Sequence, residues 1–199
     1  MKTKNEVTLL KPRESEKYID TLKSNNQTIN EMNKMIGNIL EIGRQEGAQF
    51  EKPVVLDMMR FLKEQINNYT ILAKMEEKEI LEEIPTKHYK ITIQPTLLIH
   101  ILQNFVQNAI KFTPKGGHIT IRAYSNKEGF HIFVIDEGIG IDESKDLFAP
   151  FKRYGNQTGA GLGLFLAKSA ADAIGAKITL KNRTDREGTI ASLLIPHKI

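Results

Sequence analysis

The sequence contains no cysteine, which excludes disulfides, a thiolate nucleophile and a Cys-ligated metal. It also lacks long apolar runs. Its hydrophobic stretches are broken by Asn, Gln or Lys within a few residues, far short of the ~20 needed to span a bilayer. The opening MKTKNEV has no apolar core of the kind a secretory signal needs, so none is expected. Charge of one sign is scarce as well. Lys and Arg number 28 against 24 Asp and Glu, a net charge of +4 spread along the chain. Nothing clusters enough to argue for nucleic-acid binding. The five histidines show no HExxH spacing, so a zinc site is not expected. What remains is 199 residues, 40% hydrophobic and 26% charged, close to the soluble-globular average. One domain with a small appendage is expected, from a cytoplasmic protein or the cytoplasmic part of a larger one.

Two regions differ in pattern, with the boundary near residues 50 and 51. From Glu14 to Arg44 there is no proline, and Leu22, Ile29, Met32, Ile36 and Ile39 recur at three- and four-residue spacings, with Asn25 in one slot. That is a heptad-like seam on one long helix, opposed by the polar Lys23, Gln27, Lys34 and Glu41. The seam needs a cover, either the core of the same domain or a dimerisation partner. Residues 51–199 mix both periods. A helix is expected over Asp57–Lys74, strands in EILEEI and HYKITI, and a helix after Pro95 running to Thr113. Strands follow in HITIRAY and FHIFVID. A last helix from Leu162 to Ile174 stops at Gly175, and the strands AKITLKN and TIASLLI close the chain. Three helices with five or six mostly antiparallel strands predict a two-layer α+β sandwich.

Three stretches could carry chemistry. On the helix after Pro95, Leu97, Leu98, Ile101, Leu102, Phe105, Val106, Ala109 and Ile110 form an apolar stripe. His100, Asn104, Asn108 and Lys111 line its other face. Asn is a poor choice there, because its amide competes for backbone hydrogen bonds. The strip is either a solvated face or one turned to a nucleotide, with an Asn oxygen for Mg²⁺ and the Lys for phosphate. In VIDEGIGI a β-branched strand ends in Asp136, and Gly138 and Gly140 let the backbone turn and approach a ligand. In GAGLGL, residues 159–164, glycines precede a helix N-terminus whose amides suit phosphate. The spacing is neither the dinucleotide G-x-G-x-x-G nor a P-loop, and eukaryotic-type kinase motifs are absent.

Taken in order, these stretches resemble the ATP-binding catalytic domain of bacterial sensor histidine kinases, within the group that includes gyrase B, MutL and the heat-shock chaperone ATPases. NFVQNAIKFTPKGG resembles the N box and DEGIGI the first Gly box. FAPFKR resembles the F box, GAGLGL the second Gly box, and Gly188-Thr189 the closing strand motif. The resemblance implies a Bergerat-type ATP-binding fold whose sheet is covered by three helices. It implies Asp136 on the adenine amino group with Thr189 beside it, and Asn108 on Mg²⁺. Asn104 and Lys111 would lie near the phosphates, and Phe112, Ile141, Gly138 and Gly140 would line the pocket. Residues Asp142 to Thr158 would be a lid anchored by Phe148 and Phe151, with Arg153 turned to phosphate or partner. Gly159, Ala160, Gly161, Leu162, Gly163 and Leu164 would present backbone amides to the polyphosphate. Superfamily ATPases place a Glu base where this chain has Asn104, which favours a kinase over a hydrolase. The alternatives are an ATPase or serine kinase of the same group, or a non-catalytic scaffold.

The sequence also departs from that pattern. The family's phosphoacceptor stands in a His-Glu/Asp-x-x-Thr/Asn-Pro motif, and none of His88, His100, His118, His131 and His197 has that context. The helix from Glu14 resembles the second helix of the dimerisation hairpin. The chain is then expected either to be a piece cut after the phosphoacceptor or to have lost it. The implied partners are that acceptor helix, a response-regulator receiver domain and a second copy through the N-terminal helix. Gln94 stands where the family has an acid before the N-box helix. His88, His118 and His131 are expected in strands, facing solvent.

Overall fold

The computed structural model describes residues 18–29, 37, 50–150 and 161–197. Residues 18–29 form helix α1, inside the long helix expected there. Leu22 is 62% exposed and Ile29 47%, so this part of the seam lies open. Met32, Ile36 and Ile39 fall outside the described residues.

Strand β1 (Val54–Asp57) leads directly into helix α2 (Met58–Met75). Asp57 ends one and caps the other, its Oδ1 accepting from Met59 N at 3.1 Å and Arg60 N at 3.4 Å. On α2, Met58, Met59, Phe61, Leu62, Ile66, Tyr69 and Ala73 are buried, a stripe at helical spacing. Strands β2 (Glu79–Glu83) and β3 (Lys90–Ile93) precede helix α3 (Pro95–Phe112). Pro95 opens α3, where its missing N–H costs nothing. Gln94 makes no side-chain cap, and a distant acid substitutes: Glu51 Oε2 accepts from Thr96 N at 3.3 Å.

The hairpin β4 (His118–Ser125) and β5 (Gly129–Ile135) comes next, then helix α4 (Gly163–Ala173) and strands β6 (Lys177–Asn182) and β7 (Thr189–Pro196). Helix α4 stops as its sequence predicts. Gly175 takes φ 69°, Ala176 N donates to Ala171 O at 2.8 Å and Gly175 N to Asp172 O at 3.1 Å. That pair of bonds is a Schellman motif, which a Gly at this position favours.

The main sheet has the order β2-β4-β5-β7-β6, parallel only between β2 and β4. Its strands alternate. Ile119, Ile121, Ala123, Phe130, Ile132, Val134, Ala191, Leu193 and Ile195 are buried in one core with the apolar faces of α2, α3 and α4. Truncating a side chain such as the fully buried Phe105 costs about 3–5 kcal/mol. This is the expected two-layer α+β sandwich, with one addition. Strand β1, where no strand was expected, pairs antiparallel with β3 in a separate two-stranded sheet.

One histidine expectation needs correction here, the strand placement of His88. His88 lies before β3 in a loop, held by Asp57. His118 and His131 lie in strands as expected, at the half-buried positions that alternate with the core residues Ile119, Phe130 and Ile132. His118 contacts Glu137, and His131 stacks on Tyr124 with ring centroids 4.8 Å apart.

Candidate nucleotide site

Asp136 sits one residue past the end of β5, where the chain leaves the sheet beside β7. Asp136 N donates to Thr189 O at 2.9 Å, extending the ladder by one rung. Its side chain is buried, with the residue 6% exposed. Asp136 Oδ1 accepts from Gly138 N at 2.8 Å and Thr189 N at 2.9 Å. Burial pushes its pKa above the ordinary aspartate value. The bonds from Gly138 and Thr189, and the nearby Arg183 charge, pull the other way. A carboxylate has about four acceptor sites, so capacity remains for a ligand donor.

The Gly positions around it follow from space. A β-carbon on Gly138 would lie 3.0 Å from Asp136 Oδ1 and 3.0 Å from Phe112 O, so the end of α3 rests on this loop. Gly140 takes φ 76°, a left-handed conformation that favours glycine. Glu137 is fixed from outside. His118 N donates to its Oε2 at 2.9 Å and Arg186 Nη1 to its Oε1 at 3.1 Å. The His118 amide bond is the largest cause holding the Glu137 pKa down.

The N-box strip is graded. His100 is buried, correcting its expected place on a polar face, while Asn104 and Asn108 are half-buried and Lys111 is exposed. Asn104 Nδ2 donates to His100 O at 2.8 Å. Lys111 Nζ lies 5.0 Å from the Phe112 ring centroid, and Phe112 is half-buried.

At the start of α4, Gly161 takes φ 69°. Leu162 occupies the N-cap position without a side-chain cap bond and is buried, and Leu164 packs on the core. The N-cap side chain of α4 thus occupies none of its first-turn amides, which suits an anion-binding helix start. A β-carbon on Gly163 would come within 2.6 Å of Asn104 Oδ1, so the second Gly box touches the N box.

Beyond the first Gly box, Asp142 Oδ1 accepts from Ser144 N at 3.1 Å and Ser144 Oγ at 2.6 Å. These bonds and Lys145 hold the Asp142 pKa down to about 2. Phe148 N donates to Asp146 Oδ1 at 3.1 Å, and the Phe148 ring packs on the core. Phe151, Arg153, Gly159 and Ala160 lie outside the described residues.

Two contributors escaped the sequence reading. Asn182 and Arg183, at the end of the AKITLKN strand and just past it, hold the Asp136–Ile141 loop. Arg183 Nη1 donates to Asp136 O at 3.2 Å, and Asn182 binds the Ile141 backbone. A polar residue ending β6 just before a Gly-containing turn is the one signal available, and it is weak.

With this geometry in place, the comparisons identify the family. The model of the Histidine kinase-, DNA gyrase B-, and HSP90-like ATPase family matches residues 93–199, and the chain belongs to that family. Membership implies ATP as the nucleotide. The chain is 26% identical over 178 residues to sensor histidine kinase WalK of Bacillus subtilis, covering 84% of this chain and 29% of that protein. It is 40% identical over 103 residues to sensor protein BasS of Salmonella typhimurium, covering 50% of this chain and 29% of that protein. The chain therefore spans under a third of the length of either relative. Among solved structures, the catalytic domain of histidine kinase ThkA superposes with a TM-score of 0.66 at 24% identity, covering 73% of this chain and 96% of that one. Full-length ShkA in complex with AMPPNP superposes with a TM-score of 0.64 at 24% identity, covering 93% of this chain and 39% of that one. No helix of the described residues is long and apolar enough to cross a membrane.

Proposed function

We propose that this chain is the ATP-binding catalytic module of a two-component sensor histidine kinase, passing the γ-phosphoryl group of ATP to a histidine on an acceptor helix. The observation that carries the reading is the buried Asp136 carboxylate, fixed at a strand end by Gly138 and Thr189. The adenine amino group would donate to it. A guanine carbonyl would set acceptor against acceptor in a buried site, so ATP is chosen over GTP.

Phosphoryl transfer passes through a loose transition state, so the protein's work is positioning and charge neutralisation. Lys111 supplies a cation at one end of α3, and the uncapped first turn of α4 supplies amides. Arg153 would add a second cation. Asn104, lying against Gly163, ties the two phosphate-facing elements together. A magnesium ion fits the donor set in one respect. Among the described residues no group of three His, Asp or Glu could hold a metal. Mg²⁺ suits a site with one or two protein oxygens, the rest coming from phosphates and water. Asn108 is the residue that would hold it, and the ion would neutralise charge on the phosphates.

Residues 1–50 would then be the remnant of the dimerisation hairpin, with the exposed Leu22 and Ile29 seam pairing with a second copy. Residues 51–199 would be the catalytic domain, working in the cytoplasm, with a response-regulator aspartate receiving the phosphoryl group downstream. The test is calorimetry with ATP and GTP, followed by transfer of labelled phosphate to an acceptor-helix fragment supplied in trans. Selective ATP binding and acid-labile label on the fragment are expected. Equal affinity for GTP, or hydrolysis without transfer, would overturn the reading.

A further inference from the structure

We propose that Asn182 is a positioning residue for the nucleotide site, setting affinity by clamping Ile141 without touching the ligand itself. The proposal rests on the reading that ATP binds against the Asp136–Ile141 loop.

That loop is held at its entry and its exit by different groups. At the entry, Asp136 is fixed by Thr189 and Arg183. At the exit, the Asn182 carboxamide takes both backbone groups of Ile141: Ile141 N donates to Oδ1 at 2.7 Å, and Nδ2 donates to Ile141 O at 2.8 Å. A side chain thus stands in for a strand partner where the sheet has ended. Asn182 is itself anchored, pairing with Thr189 in the β6–β7 register. Its own N–H donates to Glu143 Oε1 at 2.6 Å, so the first residues after the loop are tied to the same point. The fit is close, because a β-carbon on Gly140 would lie 2.6 Å from Asn182 Oδ1.

Only a short carboxamide offers donor and acceptor together at this reach. Alanine leaves both half-buried Ile141 groups without their partner. Aspartate keeps the bond from Ile141 N but sets an oxygen against Ile141 O. With the exit loosened, ATP would have to order the loop as it binds, and affinity falls by that ordering cost.

The experiment uses the full chain and two variants, Asn182→Ala and Asn182→Asp. Two hydrogen bonds of ordinary strength predict roughly 10-fold weaker ATP binding. Adenosine binding should fall by a similar factor, because the clamp acts at the base end. Amide exchange at Ile141 should accelerate while exchange at Thr189 and in the core strands stays slow. If Asn182→Ala does not fold, Asn182→Asp preserves volume and carries the same test. Unchanged Kd in the variants against normal wild-type binding overturns this proposal alone. Acceleration of exchange throughout the domain, or a collapsed melting temperature in both variants, makes Asn182 a structural residue and also overturns it. A wild-type chain that binds no ATP overturns the functional reading as well.

Discussion

Asn104 and Gly163 meet where α3 lies beside α4, so close that a β-carbon on Gly163 would sit 2.6 Å from Asn104 Oδ1. Glycine there serves an approach between side chain and backbone. Gly163→Ala should push the Asn104 amide aside and break its bond to His100 O. The helix itself should gain, since Ala is the better helix former by up to about 1 kcal/mol. The expected outcome is an unchanged or higher melting temperature with weaker binding of ATP and loss of transfer. Calorimetry and a melting curve on the same sample check it. Full affinity in the variant would mean the contact has no bearing on the phosphates.

Asp136 separates stability from function in the opposite sense. Its folded pKa is raised above the ordinary aspartate value of 3.8, chiefly by burial. The folded state therefore holds the proton more tightly than the unfolded chain. The penalty for the buried charge is absent below that value, grows as pH rises through the window above it, and is fully present beyond it. Asp136→Asn removes the charge while its amide oxygen can still accept from Gly138 and Thr189. Without nucleotide, the variant should melt no lower than wild type at pH 7, with the difference shrinking as pH falls toward 4. ATP affinity should drop by about 30-fold or more, from the roughly 2–4 kcal/mol of a lost charge-assisted bond and a mismatched amide. An unchanged ATP titration would remove Asp136 from the adenine site.

What the sequence made legible follows from range. The stripe from Leu97 to Ile110, the stop at Gly175 and the Asp136-Gly138-Gly140 turn are local patterns with local causes, and the structure has them where the spacing puts them. Strand β1 was not legible, because the four residues Val54–Asp57 carry no period of their own and become a strand only against β3. Glu51 capping Thr96 and Asn182 clamping Ile141 join residues 45 and 41 positions apart, and neither partner advertises the other. His100 fell on the polar line by spacing, yet the packing around α3 buries it. A helical line at the border of a stripe can go either way, and only the neighbouring elements decide.

Tyr69 offers a test of the core away from the site. It is 6% exposed on α2, and its hydroxyl has no hydrogen-bond partner among the described residues. A buried hydroxyl without a partner costs about 1–3 kcal/mol. Tyr69→Phe keeps the ring and removes that cost, so the melting temperature should rise by roughly 2–12 °C, at about 2–4 °C per kcal/mol for a chain of this size. Burial also pushes the wild-type phenol up to about 12. In an ultraviolet titration one of the five tyrosines should ionise late, and that late step should vanish in the variant. A lower melting temperature would mean that the hydroxyl does have a partner.

The last prediction separates metal from base. Asn108 is proposed to hold Mg²⁺, whereas Asp136 is proposed to touch only adenine. Asn108 is half-buried on α3, off the stripe that contains Phe105, Val106 and Ala109. Replacing it with Ala removes the amide oxygen, leaves the core untouched and improves helix propensity by up to about 0.7 kcal/mol. The fold should therefore lose no more than about 0.5 kcal/mol, and could gain by a similar amount. Mg-ATP should bind more weakly, and transfer to an acceptor fragment should fall with it. Adenosine and metal-free ADP should be almost unaffected, because neither needs a metal bridge to the protein. Paired calorimetry with and without Mg²⁺, beside a melting curve, reads all three ligands on one scale. Equal losses for every ligand would make Asn108 part of the pocket wall. A collapsed melting temperature would make it structural, and either result would place the ion on other oxygens.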